Sequence, residues 1–238
     1  MSRRRRSGGI GAAAALLSLL LAAGGYWANE RGLLDLPDAV QQDEPASLSA
    51  AEAQAALTVL AQLPVKQDAG RNGYERELFG QRWADVDHNG CDTRNDILAR
   101  DLTQVQHKPG TRRCVVTAGV LADPYTGRTI TFSKTDAAAV QIDHVVSLSN
   151  AWRTGAQSLS PEARAALAND PLNLLAVDGP TNQDKGDKDA AQWQPPRVAA
   201  RCALAARQVE VKRKYGLWVD PPERDALGRE LKRCATPR

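Results

Sequence analysis

Hydrophobic and polar positions alternate in blocks that change character along the chain. A capping box, Ser49-Ala50-Ala51-Glu52, predicts a helix from Ser49 to about Gln62, ended by Pro64. Lys66 to Tyr74 has no period and reads as loop. Arg94 to Leu102 is helical in pattern, with Ile97 and Leu98 apolar. Cys114 to Leu121 and Arg128 to Phe132 are rich in β-formers, and the intervening "ADPYTG" carries Pro and Gly where a hairpin turn wants them. Ala138 to Val145 alternates apolar and polar residues and predicts a third strand beside that hairpin.

Helical patterns follow at Ser149 to Arg153, at Ser160 to Ala168 with Pro161 in the first helical position, and at Thr181 to Gln192. "NLLAV" between them is a short apolar strand. Arg197 to Tyr215 and Pro222 to Cys234 predict two closing helices. There is no internal repeat, and the mixture predicts an α+β fold: a small antiparallel sheet surrounded by helices.

The N-terminus follows different rules. Arg3 to Arg6 precede an apolar stretch from Ile10 to Ala23, the layout of an export signal. The uncharged run continues to Ala28, about the lower limit for spanning a bilayer. Residues 1–28 therefore read as a signal peptide or membrane anchor, 29–48 as a polar linker with Pro37 and Pro45, and 49–238 as one domain. That placement is extracellular, or tethered to the outer face of the cytoplasmic membrane, with membrane contact only through an uncleaved leader.

Composition agrees. The 238 residues are 42% hydrophobic and 25% charged, which suits one substantial core. Cys91, Cys114, Cys202 and Cys234 include no C-x-x-C pair, so an oxidising compartment favours disulfides over zinc. Of three pairings, Cys91–Cys114 and Cys202–Cys234 each close a local segment and are the ones expected. The formal charge of +3 owes four positive residues to the leader, and nothing global marks a nucleic-acid binder. From Arg197 onward, however, eleven Lys or Arg face five Asp or Glu. Such a basic face suits phosphate contacts or a solvated helix surface equally.

Chemistry concentrates in "VQIDHVVSLSNAW", where Asp143 and His144 end the predicted third strand. Asn173 opens "NLLAVDGPTNQDKGDK", Asn182 follows nine residues later, and Lys185 three after that. A strand, a second strand and a helix would bring one carboxylate and one amide oxygen together with an imidazole beside them. Those are hard ligands of the kind Mg²⁺ or Mn²⁺ takes, and a neutral histidine can accept a proton from an attacking water.

This constellation resembles the HNH, or ββα-metal, endonuclease finger in its His-Asn-Asn form, as in the HNH domains of CRISPR effector nucleases. Together with "YERELFGQRWADVDHNGCDTRNDILARDL" and "NDPLNLLAVDGPTNQDKGDKDAAQW", it resembles exported bacterial HNH endonuclease-family proteins, similar to the C-terminal domain of GmrSD-type restriction enzymes. The resemblance spans roughly Leu57 to Cys234. It implies Asp143 and Asn182 as ligands of one divalent ion and His144 as general base. Asn173 would brace the loop that orients His144, and Lys185 would touch phosphate. A Pro common in the family is replaced by Ser147. The implied function is metal-dependent endonucleolytic hydrolysis of nucleic acid, DNA foremost, with no obligate protein partner.

In "DVDHNGCDTRND", Asp85, Asp87, Asn89 and Asp96 fall on ligand positions of an EF-hand loop, with Gly90 at the turn. A calcium loop, a polar turn held by Cys91, and a second catalytic element in which Arg94 clamps the scissile phosphate compete here. Arg94 is preferred, because a guanidinium fork suits phosphate and the related proteins carry a similar "CDTRN" stretch. Trp83, Trp152 and Trp193 read as core rather than base-stacking residues, and His88 and His107 carry no role. The competing function is a non-catalytic exported nucleic-acid or calcium-binding module on the same fold. A serine hydrolase is disfavoured by the absence of a G-x-S-x-G elbow.

Overall fold

Helix α1 (Ala50–Gln62) opens the structure, a computed structural model describing residues 48–236, and its N-terminus closes as the capping box requires. Ser49 Oγ accepts from Glu52 N while Glu52 accepts from Ser49 N at 2.8 Å. The leader and linker expectations, residues 1–47, lie outside the described residues. After a 3-10 turn (Arg76–Phe79) comes α2 (Thr93–Asp101), capped by Asp92.

Strand β1 (Leu102–His107) follows α2 without a loop and pairs antiparallel with β2 (Val116–Ala122). This strand was not read in the sequence. Strand β3 (Thr129–Ser133) pairs with β2 through the "ADPYTG" hairpin as expected. Strand β4 (Val140–His144) corrects the prediction: it does not join the hairpin sheet but forms a second sheet with β5 (Leu174–Asp178). Val140 and Ile142 still pack into one apolar cluster with Leu98, Leu121 and Phe132, so the two sheets share a core without sharing hydrogen bonds.

Between β4 and β5 lie α3 (Leu148–Arg153) and α4 (Pro161–Asn169), each begun by a serine cap, Ser147 and Ser160. Helix α5 (Gly179–Lys185) leaves β5 directly, with Asp178 as cap. Its first residue admits only glycine, because a Cβ at Gly179 would stand 1.9 Å from Ala138 O. The sequence predicted this helix as far as Gln192. It stops at Gly186, whose positive φ of 54° and N–H bond to Asn182 O end the last turn.

Helices α6 (Arg201–Lys214) and α7 (Pro221–Ala235) close the fold and pack on α1 through Leu60, Val209, Leu227 and Leu231. Both expected disulfides are present, Cys91–Cys114 and Cys202–Cys234, the second stapling α6 to α7. Opening a loop of this length, 32 residues, releases roughly 4 kcal/mol of chain entropy to the unfolded state. Serine at both Cys202 and Cys234 is therefore expected to lower stability by about that amount in urea denaturation. An unchanged midpoint and slope would remove the bridge from the stability account. Among the described residues, no helix is long and apolar enough to cross a membrane.

Candidate functional site

Strand alternation sends Asp143 and His144 to opposite sides of β4. On one side, Asp143 is 4% exposed and both carboxylate oxygens are held: Lys185 Nζ donates to Oδ1 at 2.8 Å, and the Tyr125 hydroxyl donates to Oδ2 at 2.5 Å. Burial first, and the Asp143 charge next, push the Tyr125 phenol well above its ordinary pKa, so it stays a donor. Lys185, read as a phosphate contact, is itself only 1% exposed and also donates to His144 O at 2.8 Å. It is the buried counter-ion of Asp143 and does not line the cleft described below.

On the other side, the His144 Nε2–H donates to Ala168 O at 2.9 Å, and the ring lies parallel to Trp83 with centroids 6.0 Å apart. A carbonyl only accepts, so this bond fixes the proton on Nε2 and leaves Nδ1 as the lone-pair nitrogen. Burial lowers the imidazole pKa from 6.5 to about 3, with Arg76, Lys185 and Arg82 pressing in the same direction. His144 is thus neutral at pH 7.

Asn173 is fully buried and ties the loops behind His144 together. Its Oδ1 accepts from Val146 N at 2.9 Å, and its Nδ2 donates to Val146 O and Leu167 O, each at 3.3 Å. Removing it strands the buried Val146 N–H and costs about 1–3 kcal/mol. Asn173→Ala is expected to show that loss in thermal or urea unfolding, and a loss under 1 kcal/mol would argue against the brace. Two arginines hold the same loop from outside: Arg100 and Arg207 both donate to Pro171 O and Leu174 O at 2.8 Å.

Asp143, His144 and Asn182 all line one cleft of about 660 Å³, and so do Arg71, Arg76, Arg82 and Arg94. Arg94, anticipated here, lies over the Phe132 ring at 5.8 Å. Asp187, also in the lining, pairs with Arg71 at 3.1 Å. Arg71, Arg76 and Arg82 were not singled out in the sequence, because they sit in an aperiodic stretch that gains meaning only when the fold places it over β4. Trp152 and Trp193 are core, as expected, while Trp83 is half-buried against His144.

Do these residues fit a divalent ion? Each Asp143 oxygen spends one lone pair on its donor and keeps another. Asn182 Nδ2 donates to Gln141 Oε1 at 3.0 Å, and its Oδ1 accepts no hydrogen bond from the described residues. One carboxylate and one amide oxygen suit a hard cation that keeps several waters. Among the described residues, no three His, Cys, Asp or Glu side chains cluster as a metal cage, so such an ion would rely on water and substrate oxygens. In the upstream loop, Asp85, Asp87 and Asp96 are engaged around Asn89: Asp87 and Asp96 accept from its Nδ2, and Asp85 accepts from Asn89 N and Gly90 N.

Residues 92–230 match the family described as "GmrSD restriction endonucleases, C-terminal domain". A relative named "Uncharacterized secreted protein", from Arthroderma benhamiae, is 38% identical over 184 residues, covering 76% of this chain and 86% of the relative. That organism is a fungus, so the likeness is not confined to bacterial proteins. No solved structure matches. With the match covering more than half of its length, this chain belongs to the GmrSD restriction endonuclease C-terminal domain family.

Proposed function

We propose that the protein is an exported, divalent-metal-dependent endonuclease that hydrolyses phosphodiester bonds, DNA foremost. The observation that carries this reading is a neutral histidine, oriented by Ala168 O, opening on a cleft lined by four arginines. Family membership supports nuclease chemistry, and the secreted relative together with the N-terminal leader pattern supports export.

In this reading His144 Nδ1 takes the proton of a water as the water oxygen bonds to phosphorus and the bond from phosphorus to the leaving oxygen breaks. Arg94 and the neighbouring arginines hold the phosphate oxygens and offset their charge. Lys185 and Tyr125 fix the Asp143 carboxylate, and Asn173 fixes the segment behind the histidine. Asp143 and Asn182 would hold Mg²⁺ or Mn²⁺, which supplies Lewis acidity at the phosphate when bound. Nicking of supercoiled plasmid by the purified protein, with Mg²⁺ or Mn²⁺ against EDTA, tests the proposal. Nicking that needs the metal is expected. No cleavage of DNA or RNA by a folded, oxidised protein would sink it.

A further inference from the structure

Two rungs tie helix α5 to strand β4. Gln141 and Asp143 are two apart on β4 and point to one face of the strand, while Asn182 and Lys185 are three apart on α5 and share one side of the helix. In one rung Lys185 Nζ donates to Asp143 Oδ1 at 2.8 Å, and in the other Asn182 Nδ2 donates to Gln141 Oε1 at 3.0 Å. The first rung is ionic and buried. The second joins two neutral, half-buried amides, both of which line the cleft.

A primary amide donates at one end and accepts at the other, and its terminal torsion is broad, so nothing intrinsic to Asn182 decides which end meets the cleft. Its partner decides. With Nδ2 turned to Gln141 Oε1, the remaining polar atom is Oδ1, which accepts no hydrogen bond from the described residues. Gln141 is set in turn by Gly179. A Cβ there would stand 3.3 Å from Gln141 Nε2 and 1.9 Å from Ala138 O, so the donor end of the glutamine occupies the space beside a backbone acceptor and its Oε1 faces Asn182.

We infer that Gln141 is a positioning residue for the divalent ion: by taking the Asn182 N–H it keeps the Asn182 oxygen, and not the nitrogen, directed at the cation. The inference rests on the metal-dependent reading above, in which Asn182 is a ligand. Without the acceptor, the amide is free to present its hydrogens, which repel a cation. Partners that orient a metal ligand in this way are typically worth about 10–100-fold in metal affinity.

The test is Mn²⁺ binding by the purified, oxidised protein without nucleic acid, followed by loss of the free-ion electron paramagnetic resonance signal. Gln141→Met keeps the length of the side chain and removes the acceptor. It is expected to weaken Mn²⁺ binding about 10–100-fold, with the unfolding midpoint in EDTA close to that of wild type. Gln141→Glu can only accept, which is all the role requires, and its charge attracts a cation, so it should bind Mn²⁺ as tightly as wild type or more tightly. In the Asn182→Ala background Gln141→Met should cost nothing further, because the ligand it orients is gone. Undiminished binding in Gln141→Met, a Glu variant as weak as the Met variant, a full further loss in the Asn182→Ala background, or no Mn²⁺ binding by wild type would overturn the role. A protein that shows the expected pattern but never nicks plasmid fails the nuclease proposal alone. One that nicks with Mn²⁺ and binds the ion equally well as Gln141→Met fails only the positioning role.

Discussion

His144→Ala is expected to lower metal-dependent plasmid nicking by about 10²–10⁴-fold while the protein stays folded. The ring contributes one bond to Ala168 O and a stack on Trp83, whereas the nearby framework is held by Asn173, Lys185 and Tyr125. Nicking by the alanine variant at the wild-type rate would end the assignment of His144 as base.

The pH dependence offers an independent check on the same residue. Because the folded-state pKa is depressed to about 3, the base stays unprotonated well below pH 6.5 and the acid limb of the rate profile should lie lower than for a free imidazole. The sign for stability follows from proton binding. Between pH 6.5 and about 3 the unfolded chain binds a proton at this residue and the native chain does not. Stability from this group is therefore complete above pH 6.5 and is lost as pH falls toward 3. Urea denaturation at pH 7 and pH 5 should show a steeper loss for wild type than for His144→Ala. Parallel losses would place the imidazole in contact with solvent.

Lys185→Met is expected to damage both stability and cleavage. With 1% exposure at the lysine and 4% at Asp143, removing the ammonium leaves a buried carboxylate with Tyr125 as its one side-chain donor among the described residues. Breaking a buried pair from one side costs about 3–5 kcal/mol. Adding Asp143→Asn should recover much of that stability, since no charge is then left unpaired, but it should not recover cleavage. A solvated, phosphate-touching lysine would behave otherwise: stability would hold while the salt dependence of substrate binding weakened. Unfolding and nicking measured on the single and double variants separate these roles.

Much of this architecture was legible where local chemistry decides it. Ser49, Pro161 and the "ADPYTG" turn announce themselves because caps and turns depend on residues a few positions apart. Strand β1 was hidden because "LTQVQH" is short, largely polar and joined directly to a helix. The separation of β4 from the hairpin sheet was hidden too, since alternation reports which face is buried but not which strand lies alongside. The Asp143, His144, Asn173 and Asn182 set stood out by spacing. What Lys185 does was not legible: on a short helix, three residues separate a surface position from a buried one, and only packing against Tyr125 and β4 tells which. The arginine wall likewise arises from residues 71 to 94 folding across a strand some fifty positions away.

The Cys91–Cys114 bridge bears on when, in the life of the molecule, that wall exists. It fastens the start of α2, three residues before Arg94, to the segment leading into β2. A copy in a reducing environment lacks the fastening, and the guanidinium of Arg94 then stands on a helix start held by the Asp92 cap, the Thr93 bond to Ala84 O and the Asn95 bond to Val116 N. Oxidation completes the seam. In the exported nuclease proposed above, Arg94 would thus reach its final footing only once the chain has left the reducing interior of the cell.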